Sequence, residues 1–208
     1  MARKTKEDAL KTREAILDAA VQVFSIRGVS ATTLSNIAKA AGVTRGAIYW
    51  HFTNKEDLLS ALWKQLLLPF QPIVRASEDP DEADPLGKLK QTYVDFFKNL
   101  KEDPRLLKLC RILINKCEAV EDTGTLHLHR VNCHIEGQRK IEQILRNAIT
   151  QGQLPENLDV RMGSIATIAF IDGLVANWIM FPDILDVQQE IPAILDGLVQ
   201  MLRSGFIR

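Results

Sequence analysis

The chain is short of cysteine: three in 208 residues, Cys110, Cys117 and Cys133, an odd number with no Cys-x-x-Cys spacing. That usage excludes a disulfide scaffold and fits thiols buried in a reducing cytoplasm. Gly (11) and Pro (8) are sparse and form no low-complexity run, which excludes collagen-like and wholly disordered chains. No segment alternates apolar and polar residues long enough for a convincing strand. There is no Gly-rich phosphate loop, no Gly-x-Ser-x-Gly elbow, no His-Glu-x-x-His and no convincing pair of catalytic carboxylates. Catalytic residues, cofactor and metal are therefore all expected to be absent. No apolar stretch follows Arg3, Lys4 and Lys6, so no signal peptide is expected and the location should be cytoplasmic. The one membrane-like run, Ile165 to Phe181, contains Thr167, Asp172 and Asn177 and has no basic flank. It reads as a buried helix, with no membrane partner.

Net charge is also missing, since 26 Lys and Arg balance 26 Asp and Glu. The balance hides an asymmetry. Residues 1–55 hold nine basic against four acidic side chains, leaving seventeen against twenty-two for the rest. Between 19 and 55 the charges are Arg27, Lys39, Arg45 and Lys55, with no acid among them. A one-sign surface on a small N-terminal unit suits a phosphate backbone, and an acidic remainder limits indiscriminate adhesion to DNA.

What is abundant is helical periodicity, so the fold should be all-α with about nine helices. Ile16, Leu17, Ala20, Val21 and Phe24 make the stripe of a first helix that starts near Thr5 or Thr12 and stops at Gly28. A short helix follows from about Thr33 to Ala41, ended by Gly42, and Thr44 stands as the cap of a third helix only two turns long. Asn54 with Asp57 opens a fourth, which Pro69 and Pro72 end. An acidic, proline-punctuated loop from Ser77 to Pro85 precedes helices over Leu86–Leu100, Asp103–Cys117, Thr125–Gln151, the stretch between Asp159 and Pro182, and Val187–Ser204. The last two helices are apolar on more than one face, and self-association is the economical way to cover them.

The segment from Thr33 to Phe52 has the pattern of a helix-turn-helix. A second helix entering the major groove needs a hydrogen-bonding side chain at its start, little bulk where backbone nears the duplex, and donors for phosphates. Arg45 suits guanine O6 and N7, and Gly46 leaves room. Thr33, Thr44, Tyr49, His51 and Lys55 are placed to hold the DNA backbone. Trp50 admits either packing or a DNA contact, and Phe52 reads as core.

The run Val43 to Lys55, with Ile37 to Gly42 before it, resembles the DNA-binding domain of the tetracycline-repressor (TetR/AcrR) family of transcriptional regulators. Tyr49-Trp50-His51-Phe52 followed by Asn54-Lys55 is among its more specific marks. The opening Ala2-Arg3-Lys4-Thr5-Lys6, Thr44 to Ile48, and Asn115-Lys116-Cys117-Glu118 resemble the AcrR/TtgR branch, repressors of multidrug efflux pump genes. The resemblance implies a helix-turn-helix domain over 10–70 with its linking fourth helix, and a ligand-binding and dimerisation domain over 71–208. It further implies a homodimer on a palindromic double-stranded DNA operator, released by a small hydrophobic or amphipathic inducer.

Helix faces and matching positions in that branch give pocket candidates Trp63, Leu67, Phe96, Cys110, Leu113, Ile114, Phe170, Asp172 and Asn177. Asp172 is the sharpest, because a carboxylate inside an apolar helix needs a cationic ligand, a helix cap or an interface donor. Cys110 and Ile114 stand where several branch members are polar, which implies a more apolar cavity. Ile171, Leu174, Leu195, Leu198 and Leu202 are the expected dimer contacts. His127, His129, Cys133 and His134 lie close in sequence but do not converge as metal ligands, and Cys110 with Cys117 reads as structural. Two other classes remain at this point: a helical ligand- or partner-binding protein whose N-terminal unit no longer reads DNA, and an all-α enzyme.

Overall fold

The computed structural model describes residues 6–116, 125–182, 186 and 189–206. Thr5, Cys117 and the side chains of Asn115, Lys116, His127 and His129 lie outside the described residues, as does the expected helix start at Val187. Among the described residues there is no β-strand, and the α-helices number ten: α1 Lys6–Arg27, α2 Leu34–Ala40, α3 Arg45–His51, α4 Lys55–Leu67, α5 Gln71–Glu78, α6 Pro85–Glu102, α7 Pro104–Arg111, α8 Thr125–Thr150, α9 Val160–Met180 and α10 Glu190–Ser204. The addition to the expected set is α5. Pro69 and Pro72 each sit in the first turn of a helical segment, where proline's missing N–H costs nothing.

The chain divides into two compact units, residues 1–66 with 105–129, and residues 67–104 with 130–208. In the first, α1 buries Ile16, Leu17, Ala20, Val21 and Phe24 on one stripe. Leu34, Ile37 and Ala38 of α2, Ile48 of α3, Phe52, and Leu58, Leu59, Leu62 and Leu66 of α4 are buried with them, as are Leu109, Cys110, Ile112 and Leu113. The bends are set locally. Gly28 and Gly42 have φ of +77° and +65°, a region that costs glycine little and other residues more.

In the second unit α6 buries Leu86, Leu89, Tyr93, Phe96, Phe97 and Leu100, and its N-cap Asp84 accepts from the Gly87 amide at 2.8 Å. α9 starts on Asp159, whose carboxylate accepts from the Met162 amide at 3.1 Å. Gly163 lets α9 approach its neighbours, because a Cβ there would stand 3.2 Å from Leu145 Cδ1 and 3.3 Å from Leu202 Cδ2. The buried Asn147 donates to the Ala76 and Asp79 carbonyls, both at 3.1 Å, tying α8 to the end of α5.

α9 is long and apolar enough to cross a bilayer by length and composition. Within the chain it buries Ile171, Val175, Trp178 and Ile179 on one side.

Candidate nucleic-acid interface

α2 begins with a reciprocal cap: the Thr33 hydroxyl accepts from the Asn36 amide at 3.2 Å, and the Asn36 side-chain oxygen accepts from the Thr33 amide at 3.1 Å. It ends at Ala40 with Ala41 as its C-cap, and beyond Gly42 the Val43 amide returns to the Ala38 carbonyl at 3.0 Å. Thr44 then caps α3, accepting from the Ala47 amide at 3.1 Å. These bonds satisfy helix-end groups that would otherwise need water, and they fix a tight turn between the two helices.

α3 is anchored by little. Ile48 is its only buried residue, and Phe52, 1% exposed, closes the core just beyond it under the Arg13 guanidinium, 5.1 Å above the ring. Everything else on α3 is half-buried or exposed. Trp50 is 73% exposed and Tyr49 46%. Arg45 lies 5.6 Å from the Tyr49 ring centroid, and the Trp50 and His51 rings meet edge to face at 4.5 Å. A Cβ at Gly46 would meet nothing nearer than Thr44 Oγ1 at 3.9 Å, so the chain itself gives no packing reason for that glycine. An exposed helix carrying Arg, Tyr and Trp and held by one isoleucine is fit to place side chains against a groove.

Six of the eight expected DNA contacts, Thr33, Thr44, Arg45, Gly46, Tyr49 and Trp50, are exposed along this stretch, and His51 is half-buried beside Trp50. Lys55 differs. It is half-buried, and its ammonium donates to the Val29 carbonyl at 2.9 Å, the Thr32 carbonyl at 3.2 Å and the Ser30 carbonyl at 3.5 Å.

The pocket candidates divide between the two units. In the first, Cys110 and Leu113 are buried, Ile114 is exposed, and the indole N–H of Trp63 is buried without a hydrogen-bond partner among the described residues. Burial pushes the Cys110 thiol up to about 12. In the second, Phe96 is buried and Phe170 half-buried, while Leu67 is exposed. Asn177 is exposed and donates back to the Gly173 carbonyl of its own helix at 2.8 Å. Asp172 keeps part of its carboxylate open to solvent. Burial of the rest raises its affinity for a proton, opposed by the nearby His134. Desolvation, with the Asp172 charge added, keeps the Tyr93 phenol protonated well above its ordinary range. Helix periodicity did not bring Tyr93 and His134 together with Asp172. A shallow open hollow of about 270 Å3 lined by Glu78, Glu136, Arg139, Lys140 and Gln143 touches none of the nine.

Of the expected dimer contacts, Ile171, Leu195, Leu198 and Leu202 are buried within the single chain and Leu174 is half-buried. The open face of α9 carries Met162, Ile165, Ala169, Gly173 and Met180, with Ala176 half-buried among them at three- and four-residue spacing. Gly173 on this face, and Gly197 on α10, would each accept a Cβ with nothing within 4 Å among the described residues.

Fold and surface together define a helix-turn-helix DNA-binding regulator. Residues 16–62 match the family of bacterial regulatory proteins called tetR, and residues 84–204 match the C-terminal region of MAATS-type transcriptional repressors. The chain is 41% identical over 203 residues to the probable HTH-type transcriptional regulator ArpR of Pseudomonas putida, covering 98% of this chain and 97% of that one. NalD, the secondary repressor of the MexAB-OprM multidrug efflux pump in Pseudomonas aeruginosa, superposes with a TM-score of 0.79 at 33% identity over 96% of this chain and 99% of NalD. SmeT of Stenotrophomonas maltophilia, in complex with triclosan, superposes with 0.83 at 32% identity over 95% of each chain. The chain belongs to the TetR family and is a transcriptional regulator, not an enzyme.

Proposed function

We propose that this protein represses transcription of multidrug efflux genes in the cytoplasm. It binds a palindromic operator as a homodimer and leaves it when a small hydrophobic or amphipathic compound binds. The observation that carries the reading is α3, exposed and presenting Arg45, Tyr49 and Trp50 in a chain whose full length resembles efflux repressors. Arg45 and Gly46 approach base edges, and Thr33, Thr44, Tyr49, Trp50 and His51 hold the flanking backbone.

The second copy covers α9. Glycine inside a helix costs about 1 kcal/mol relative to alanine, and among the described residues no close approach at the Cβ position of Gly173 offsets that cost. A partner helix laid along Met162, Ile165, Ala169 and Gly173 supplies the offset and sets two recognition helices at a fixed spacing, as a palindrome requires. The inducer's candidate contacts within the second unit are Phe96 and Phe170, with Asp172 offering a carboxylate to a cationic group. Release requires that the inducer bind the DNA-incompetent arrangement more tightly than the competent one.

The test is titration of the purified protein against a labelled duplex of the DNA immediately upstream of its own gene and against a scrambled duplex, by anisotropy at two salt concentrations. Tight, salt-dependent binding of the first alone, reversed by hydrophobic drugs or dyes, is expected. Equal binding to both would leave a ligand-binding helical protein without operator recognition.

A further inference from the structure

The Lys55 ammonium does not point into solvent at the DNA-facing end of α4. Lysine has three N–H donors and no acceptor, and here three carbonyl oxygens, those of Val29, Ser30 and Thr32, surround them at 2.9, 3.5 and 3.2 Å. Those carbonyls belong to the turn between α1 and α2. Its path is otherwise held by the Gly28 amide on the Phe24 carbonyl at 2.9 Å and by the nearly inaccessible Thr32, whose hydroxyl donates to the Gly28 carbonyl at 2.7 Å. The end of a helix presents unsatisfied carbonyls and a partial negative charge, and a cation there is stabilising. Arg27 lies in the last turn of α1, and the Lys55 ammonium, from the first residue of α4, meets carbonyls just beyond that helix end, 26 positions upstream at Val29.

The placement closes a ring. Val29–Thr32 leads directly into Thr33, the cap of α2, and Lys55 directly follows the segment that leaves α3, so the fastened ends bracket the whole helix-turn-helix. We infer that Lys55 is a positioning residue: its three-carbonyl clasp on the α1–α2 turn fixes the orientation of α2 and α3 on α4 for groove entry, and it is not a phosphate contact. With two hydrogens bonded to Val29 and Thr32 and the third facing the Ser30 carbonyl at 3.5 Å, the Lys55 ammonium would turn to a phosphate at the expense of these contacts. This assignment rests on the operator-binding reading above.

Lys55→Met keeps the stem and removes the donors. The clasp predicts at least tenfold weaker binding to the upstream duplex, unchanged binding to the scrambled duplex, and an unchanged slope of log K against log[salt]. A phosphate contact predicts equal loss on both duplexes and a slope shallower by about 0.9. A purely stabilising lysine lowers the melting temperature and leaves the ratio of the two affinities alone. Either of the last two results overturns the assignment, as does a Met variant that behaves as wild type. Should Lys55→Met fail to fold, the wild-type protein still gives an answer through the 15N signal of the Lys55 ammonium. The clasp keeps that signal protected from exchange in the free protein and unshifted when the upstream duplex is added. Rapid exchange, or a shift on DNA binding, overturns it. Wild-type protein that fails to distinguish the duplexes would defeat the operator reading, while the signal in the free protein would still decide whether the clasp forms.

Discussion

Arg105 at the start of α7 meets Asp18 of α1, with Nε 2.5 Å from Oδ1. The same guanidinium donates from Nη2 to the Gln65 side-chain oxygen at 2.9 Å, and Gln65 donates to the Glu14 carboxylate at 2.9 Å. Glu14 and Asp18 are one turn apart on α1, so four side chains join α7, α4 and α1 through polar contacts. Lys108 adds a bond to Gln22 one turn further along α1 at 3.2 Å. Both charged members of the pair are more than a third exposed, so solvent screens much of their attraction. A double-mutant cycle of Arg105→Ala and Asp18→Ala in urea should return a coupling of about 0.5–1 kcal/mol. A value near zero would mean that the geometry contributes nothing to holding α7 on α1.

Arg45 is the side chain by which α3 should discriminate, and Trp50 is a contact to the flanking DNA backbone. Arg45→Ala is expected to cost about 1–3 kcal/mol on the operator and much less on scrambled DNA. Trp50 is 73% exposed, so truncating it should leave unfolding free energy within about 0.5 kcal/mol of wild type. Any larger loss of operator affinity in Trp50→Ala is then a loss of contact with DNA. Matched chemical-denaturation and anisotropy titrations separate the two, and equal loss on all sequences would remove Arg45 from base reading.

Local chemistry is what the sequence made legible. Thr33, Thr44, Asn54 and Asp159 all cap the helices they precede, because a cap depends on residues within one turn. Asp57 departs in detail, accepting from the Thr53 amide at 3.0 Å and not from the residue it was paired with. Two features were not legible. Periodicity cannot say which side of a helix that is apolar on two sides faces its own chain, and it did not show that Leu195, Leu198 and Leu202 are buried within the single chain. Nor does a lysine's charge reveal whether it meets a phosphate or a carbonyl. The acceptors of Lys55 lie more than twenty residues away, and only the tertiary path brings them there.

The open face of α9 makes the dimer testable without disturbing the core. Ile165→Glu places a charge on an exposed position and should give folded monomers by sedimentation, with loss of operator binding. Leu198→Glu instead buries an unpaired charge and should destabilise the chain by several kcal/mol whatever its oligomeric state. Gly173→Ala sharpens the contrast. A solitary chain would gain about 1 kcal/mol of helix stability, whereas a chain with a helix packed against that glycine should lose dimer affinity. A dimeric Ile165→Glu protein would place the interface elsewhere.

Asp172 gives a pH signature. Its proton affinity is raised in the folded chain, chiefly by burial, and His134 offsets only part of that. The folded state then holds the proton more tightly than the unfolded state does, and stability falls as pH rises from the ordinary carboxylate value of 3.8 through the raised one. Asp172→Asn removes the cost of the charge. The variant should be more stable than wild type at pH 7, and the advantage should shrink towards nothing below pH 3.8 in urea titrations across that range. The same charge is what a cationic inducer would neutralise. Asp172→Asn should therefore weaken release by cationic compounds and leave release by neutral ones intact, measured as the inducer concentration that halves operator binding. An Asn variant less stable than wild type at pH 7 would show that the carboxylate is held by favourable partners and does not wait for one.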